Sequence, residues 1–382
     1  MRMMRQAGTW TVALWAGVML ASAITARADH LIAVVTTKGS MHQPHGQEVL
    51  AGAEAAVARV NAEGGVLGHP LRVVAWTEDC SRQRAIAVAD EIARLQPVAV
   101  VGHLCAGAAI AARPIYAKAG VVLIAPGVRI AALTASGSGG HVLRIAGRDD
   151  QFGVETARFI ARHYPGKSVA IVADRTRQAL ALAAGVRIEL ARQQVAISHD
   201  ERLESGENTY DAVAARIRAS GAGVVIMPAQ PIELGVLVES LRRAGVEAPL
   251  VGSEILAVPS IEALAHRERD RLVLMLPWTG LESTRTDDHT TVAVAISSAS
   301  SQAASARAAR AVRLRARAAI EVWARAAIRA GTVEAEGVGF AARMAPADTS
   351  VGPLVFDEAG DAVVPSFVPH TWREGGWRVL PP

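Results

Sequence analysis

Residues 51–74 read AGAEAAVARVNAEGGVLGHPLRVV, and the change of period inside that stretch decides the fold. With Leu50 just ahead of it, Ala53, Val57 and Val60 recur at the spacing that puts side chains on one face of an α-helix. The face ends at Asn61, and Gly64-Gly65 supplies the left-handed positions at which helices commonly stop. An apolar run then opens at Leu71 and continues to Trp76, which reads as a strand. A helix closed by glycines and followed at once by a buried strand is one turn of a β-α chain.

The same alternation extends in both directions. Strands are expected at 31–35, 71–76, 98–101, 121–125 and 142–145, and in a second set at 168–172, 195–198, 224–227, 250–252 and 272–276. They are rich in Val, Ile and Leu at both parities, as strands covered on both faces are. Between them lie apolar stripes at helical spacing, such as Ala85, Val88, Ala89, Ile92 and Leu95, or Leu234, Leu237, Val238 and Leu241. Phe159 and Ile160 continue the face of a helix that starts near Gln151. The fold class is therefore α/β, with doubly wound parallel sheets. One series ends near 147–150 and a second begins there; after Pro277 the pattern stops. Residues 287–304 read as a loop or ragged helix, 305–329 as one long helix without Gly or Pro, and the chain closes in a short β segment rich in Val, Pro and Trp.

Residues 1–28 read as a secretory leader. Arg2 and Arg5 form a basic start, an apolar run follows from Trp10 to Ile24, and Ala26-Arg27-Ala28 is a small-residue cleavage site. An uncleaved N-terminal anchor is the alternative reading of the same run. Cleavage would place the mature start near Asp29 and the protein outside the cytoplasm, in the periplasm. The formal charge of +4 comes largely from the leader: without Arg2, Arg5 and Arg27, 37 basic residues face 36 acidic ones. The pI of about 9.5 therefore gives no argument for nucleic acid or a membrane surface. Lys38, Lys118 and Lys167 are the only lysines, a bias of composition and not a sign of function. Cys80 and Cys105 are the only cysteines, and two cysteines in an exported chain suggest one disulfide over a free-thiol pair.

Five segments, in order, resemble one family. AGAEAAVARVNAEGGVLGHPLRVV at 51–74 is similar to the G-A-E-x-A-V-x-x-I-N-x-x-G-G-x-x-G-x-x-L segment of the leucine/isoleucine/valine-binding proteins. TEDC followed by VVGHLC resembles that family's disulfide and the strand that enters its ligand cleft; PIYAKAGVVLIAPG, VGSEIL and VGPLVFDEAGD match further on. The resemblance covers the mature chain except roughly 283–310. It implies a type I periplasmic binding protein, the substrate-binding component of a branched-chain amino-acid ABC importer. Two α/β lobes would be joined by a three-crossover hinge, with lobe 1 at 29–148 plus 278–355 and lobe 2 at 149–277 plus 356–382. Such a monomer binds a small solute between its lobes and closes to deliver it to permease subunits, with no bond chemistry and no cofactor.

The resemblance also locates a site. Glu254 falls where the family places the carboxylate that holds the ligand's ammonium; a solvated loop glutamate is the alternative. Ala106 occupies the position of a carboxylate-binding hydroxyl, although a backbone N–H at a helix start there could still serve. A second such hydroxyl is replaced by Arg129, after Gly127 and Val128, where a guanidinium could grip a carboxylate or point to solvent. His45 takes the place of a usual aromatic, Gln178 and Gln230 fall where tyrosines are expected, and another aromatic would fall near Arg317. Aromatic walls are thus not evident, and a more polar amino acid, a dicarboxylate or an amide-like solute fits these residues at least as well as leucine.

Other signals weigh less. His42 and His45 form H-x-x-H, but among Gly39, Pro44 and Gly46 and without an acidic or Cys partner, so no metal is expected. Ser136-Gly137-Ser138-Gly139-Gly140 precedes a strand, the reverse of a phosphate loop. No nucleophile elbow or cofactor fingerprint is present, which argues against an exported enzyme. A periplasmic ligand sensor of the same fold and a degenerate non-binding paralogue remain as alternatives to the transport reading.

Overall fold

The structure is a computed structural model. It describes residues 29–39, 43–135, 140–283 and 301–380, with side chains from 307 onward in the last stretch. The leader, His42 and the glycine-rich residues 136–139 lie outside it.

Five strands form the first sheet: β1 (His30–Thr37), β2 (Leu71–Glu78), β3 (Ala99–Val101), β4 (Val122–Ala125) and β5 (Val142–Arg144), in the order β2-β1-β3-β4-β5. All four pairings are parallel, as helices α1 (Gln43–Ala62), α2 (Arg82–Arg94) and α3 (Ala106–Lys118) in the connections require. The second sheet contains β6 (Val169–Ala173), β7 (Ile197–Arg202), β8 (Val224–Met227), β9 (Leu250–Ser253) and β10 (Leu272–Pro277). Helices α4 (Phe152–His163), α5 (Arg177–Arg192), α6 (Asp211–Ser220), α7 (Pro231–Arg243) and α8 (Pro259–Glu268) accompany it. Ile32 and Val34 are fully buried on one face of the first sheet and Ala33 and Val35 on the other, which is why these strands carry no polar alternation. β7 starts two residues later than expected: the edge strand reads ISHDER, whose alternating burial an apolar-run search does not see.

The long helix forms as one piece, α9 (Ser301–Ala330), followed by α10 (Ala335–Met344). Its alanines are an asset. Ala316, Ala319 and Ala327 are fully buried beside Ile320 and Trp323, and small residues let α9 lie close on α1. At Gly52 of α1 an added Cβ would stand 2.2 Å from the Arg313 carbonyl, so that crossing admits only glycine. A short antiparallel pair, β11 (Ala347–Thr349) with β12 (Gly352–Leu354), follows. The expected β segment at the end of the chain is β13 (Phe367–Arg373) and β14 (Gly376–Val379), added antiparallel beside β10 to make seven strands.

The chain passes between the sheets three times: after β5, after β10 and before β13. The third passage lies later than the expected break at 355. Phe356 and Ala362 are buried with the first sheet, and Arg144 of β5 donates its N–H to the Gly360 carbonyl and accepts from the Ala362 N–H. The reason is Asp361, which accepts from Arg144 Nε at 2.8 Å in a buried pair also bonded to Thr134. Releasing it would leave a buried guanidinium unpaired, at a cost of about 3–5 kcal/mol. The three passages meet at Ser366. Its Oγ accepts from the Arg148 N–H at 2.9 Å and its carbonyl from the Trp278 N–H at 3.1 Å. Gly147 packs so closely on Ser366 that a Cβ would stand 2.5 Å from the Ser366 Cα.

Cys80 and Cys105 form a disulfide with a Cα–Cα distance of 5.5 Å, joining the chain after β2 to the start of α3. Closing a 25-residue separation contributes roughly 3 kcal/mol in the loop-entropy model.

Candidate binding cleft

Parallel strands all point the same way, so the loops at their C-terminal ends gather on one edge, and there open α/β sheets bind ligands. Here two such edges line a common cavity of about 460 Å³. The loop after β4 brings Gly127 and Arg129; the turn after β9 brings Glu254; α1 brings His45. Gly127 is 3.0 Å, at its ideal Cβ position, from a Leu104 methyl, so a side chain there would crowd the wall.

Arg129 reaches from the first lobe to the hinge. Its Nε donates to Asp149 at 2.6 Å and its guanidinium lies 4.7 Å from the Phe367 ring centre, while Nη2 is buried and has no hydrogen-bond partner among the described residues. Its side chain is thus neither free in solvent nor free to grip with its whole fork. Opposite it, Glu254 Oε2 is likewise buried and unpartnered. Burial pushes the Glu254 carboxyl above its usual range; Arg129 opposes that shift without cancelling it. A buried donor without an acceptor and a buried acceptor without a donor each forfeit a hydrogen bond, and a molecule that supplies both complements restores them.

The other three residues singled out in the sequence fall in three places. Ala106 opens α3 behind the disulfide and is not among the residues that line the cavity. Gln178 is exposed in the first turn of α5. The Gln230 N–H donates to Asp174 at 2.7 Å, tying the ends of β6 and β8, and its side chain lines a separate groove with Ile232 and Glu239. His45, Gly127, Arg129 and Glu254 come together; Ala106, Gln178 and Gln230 do not join them.

The cavity also has walls that sequence reading missed. Trp278, Trp377, Leu104, Leu276 and Val312 line it, so aromatic walls that are not evident from the sequence are present. Trp278 sits in a passage between lobes and Trp377 on β14, packed edge-on against Trp372 at 5.4 Å. Neither element has a period that would have pointed at the site. From α9 come Arg307 and Arg315. Arg307 faces Glu282 at 3.5 Å. Arg315 is only 8 % exposed and donates to two carbonyls, Nε to Pro126 at 2.6 Å and Nη1 to Thr279 at 2.9 Å. Burial, and then the like charge of Arg129, push its guanidinium down to about 10, still cationic at neutral pH. Among the described residues no group of three or more His, Cys, Asp or Glu is placed to hold a metal ion.

Comparison with known proteins agrees with this architecture. The family model described as periplasmic binding protein matches residues 31–372. An amino acid binding protein of Pseudomonas aeruginosa is 33 % identical over 230 residues, 60 % of this chain and 61 % of that one, so this match spans less than two thirds of its length. A leucine-, isoleucine-, valine-, threonine-, and alanine-binding protein of the same organism is 27 % identical over 365 residues, 94 % of this chain and 95 % of that one. Among solved structures, an ABC transporter substrate-binding protein of Desulfitobacterium hafniense in complex with Leu superposes with a TM-score of 0.63 at 19 % identity, covering 92 % of this chain and all of that one. With two parallel-rich sheets, three passages between them and a cavity at their facing edges, the chain belongs to the periplasmic binding protein family.

Proposed function

We propose that this protein is the periplasmic solute-binding component of an ABC importer. It binds an α-amino acid or a close relative between its lobes and, as a monomer closing about the Ser366 hinge, delivers it to permease subunits. The observation that carries the reading is the pair of orphaned polar atoms in one cavity, Arg129 Nη2 and Glu254 Oε2. An α-amino acid offers a carboxylate to the cationic wall on which Arg129 Nη2 lacks an acceptor, and an ammonium to Glu254. The volume of about 460 Å³ and the Trp278, Leu276 and Trp377 walls accommodate a medium or large side chain. The names of the relatives support the same class of solute. Joining the lobes through one ligand is how a domain closure acquires its driving force.

The test is a thermal-shift screen of the twenty amino acids on the mature protein, followed by calorimetry of the hits. We expect at least one micromolar ligand, and a loss of roughly 100-fold in its affinity in Glu254→Gln, as for a desolvated charge-assisted bond. No shift with any amino acid, or an unchanged affinity in Glu254→Gln, overturns the reading.

A further inference from the structure

Arg315 stands apart from the other arginines around the cavity. Arg129 is paired with Asp149 and Arg307 faces Glu282. Arg315 is the most buried of the three and makes no ion pair among the described residues; its bonds go to the carbonyls of Pro126 and Thr279 alone. Carbonyls fix the guanidinium in place, but they do not neutralise it. Glu282 acts on it without forming an ion pair and offsets the cost of its burial only in part, and an arginine does not escape that cost by losing its proton. The like-charged Arg129 is close enough to act on it, which deepens the local positive potential. The opposite wall is different in kind: a carboxylate such as Glu254 relieves its burial by taking up a proton.

We propose that Arg315, from the long helix of the first lobe, is the principal anion receptor of the cavity, so that a carboxylate is the obligatory feature of the solute and the amine a secondary one. This rests on the solute-binding reading above and sharpens its ligand class: carboxylic acids with the shape of a bound amino acid but no amine are also ligands. The two carbonyls held by Arg315 belong to the loop after β4 and to the second passage between the lobes, so an anion seated there also touches the hinge through one side chain.

The experiment is calorimetry on wild-type protein with matched triplets: leucine, leucinamide and 4-methylpentanoate; phenylalanine, phenylalaninamide and 3-phenylpropanoate; glutamine, glutaminamide and 4-carbamoylbutanoate. For whichever parent binds, the des-amino acid should stay within about tenfold of it, and the amide should lose at least about 100-fold. In Arg315→Gln, whose fold is checked by circular dichroism, the des-amino acid should weaken at least about tenfold. If the amide binds more tightly than the des-amino acid, the proposal is wrong while the amino-acid reading stands. If no parent amino acid binds but the des-amino acids do, the amino-acid reading fails and the anion receptor survives. If nothing in any triplet binds, the proposal falls, and the amino-acid reading falls with it only if the screen of the twenty amino acids is blank as well. The wild-type order decides even where Arg315→Gln does not fold.

Discussion

The two walls of the cleft carry opposite charge and are built by opposite rules. On the first lobe, Arg129, Arg307 and Arg315 each have protein acceptors: a carboxylate, a carboxylate and two carbonyls. On the second lobe Glu254 leaves a buried oxygen without a donor. The cationic wall therefore serves the scaffold as well as the solute, whereas the acidic wall is held open for the solute alone. A side chain that serves both structure and recognition costs stability when removed; one kept only for recognition does not.

That contrast can be broken by measurement. The largest expected effect is at Arg315. In Arg315→Met the buried carbonyl of Pro126 and the half-buried one of Thr279 lose their donors, and unfolding by urea without ligand should show a loss of about 2 kcal/mol. An unchanged midpoint would mean that the guanidinium is not structural and that the walls are alike after all.

Next in size is the response to pH. Glu254 is pushed upward by burial, so in the free protein it holds its proton to a higher pH than an ordinary glutamate, whose value is 4.5. An ammonium ligand needs the ionised form. Affinity for amino acids should be level above the raised value and fall about tenfold per pH unit below it. Affinity for a des-amino acid seated on Arg315 should not fall with it over that range. An equal decline for both ligands would remove the distinction between the walls.

The smallest effect compares single substitutions in the unliganded protein. Arg129→Gln gives up the Asp149 bond and the stacking on Phe367, worth together about 1 kcal/mol because Asp149 is largely exposed. Glu254→Gln should stay within about 0.5 kcal/mol of wild type, since no protein partner is lost. A Glu254→Gln loss larger than that of Arg129→Gln contradicts the assignment of roles.

Much of the scaffold was legible because its strands are covered on both faces. Runs of Val, Ile and Leu then mark them without ambiguity, and β8 at Val224–Met227 coincides with its expected limits. The exposed edge strand β7 and the third passage were less so, since one alternates and the other is fixed by a single distant acid, Asp361. Glu254 and Arg129 could be found because the family resemblance fixes positions just after matched strands. Trp278, Trp377 and Arg315 could not. Two sit where the chain has no period, and the third looks like one more solvated arginine on an alanine-rich helix until the helix is seen laid across the cleft.

Asp361 and α9 have a consequence for the order of synthesis. Arg144 meets Asp361 across 217 residues of sequence, and Glu48 meets Arg313 across 265. The first lobe to leave the ribosome is thus finished late: it lacks both its covering helix and the ion pair at its sheet edge until nearly the whole chain exists. The second sheet also waits, for β13 and β14. Contacts this distant close slowly. A nascent chain of this design stays incompletely folded for most of its translation, the thread-like state that export would require if residues 1–28 act as the leader their sequence suggests.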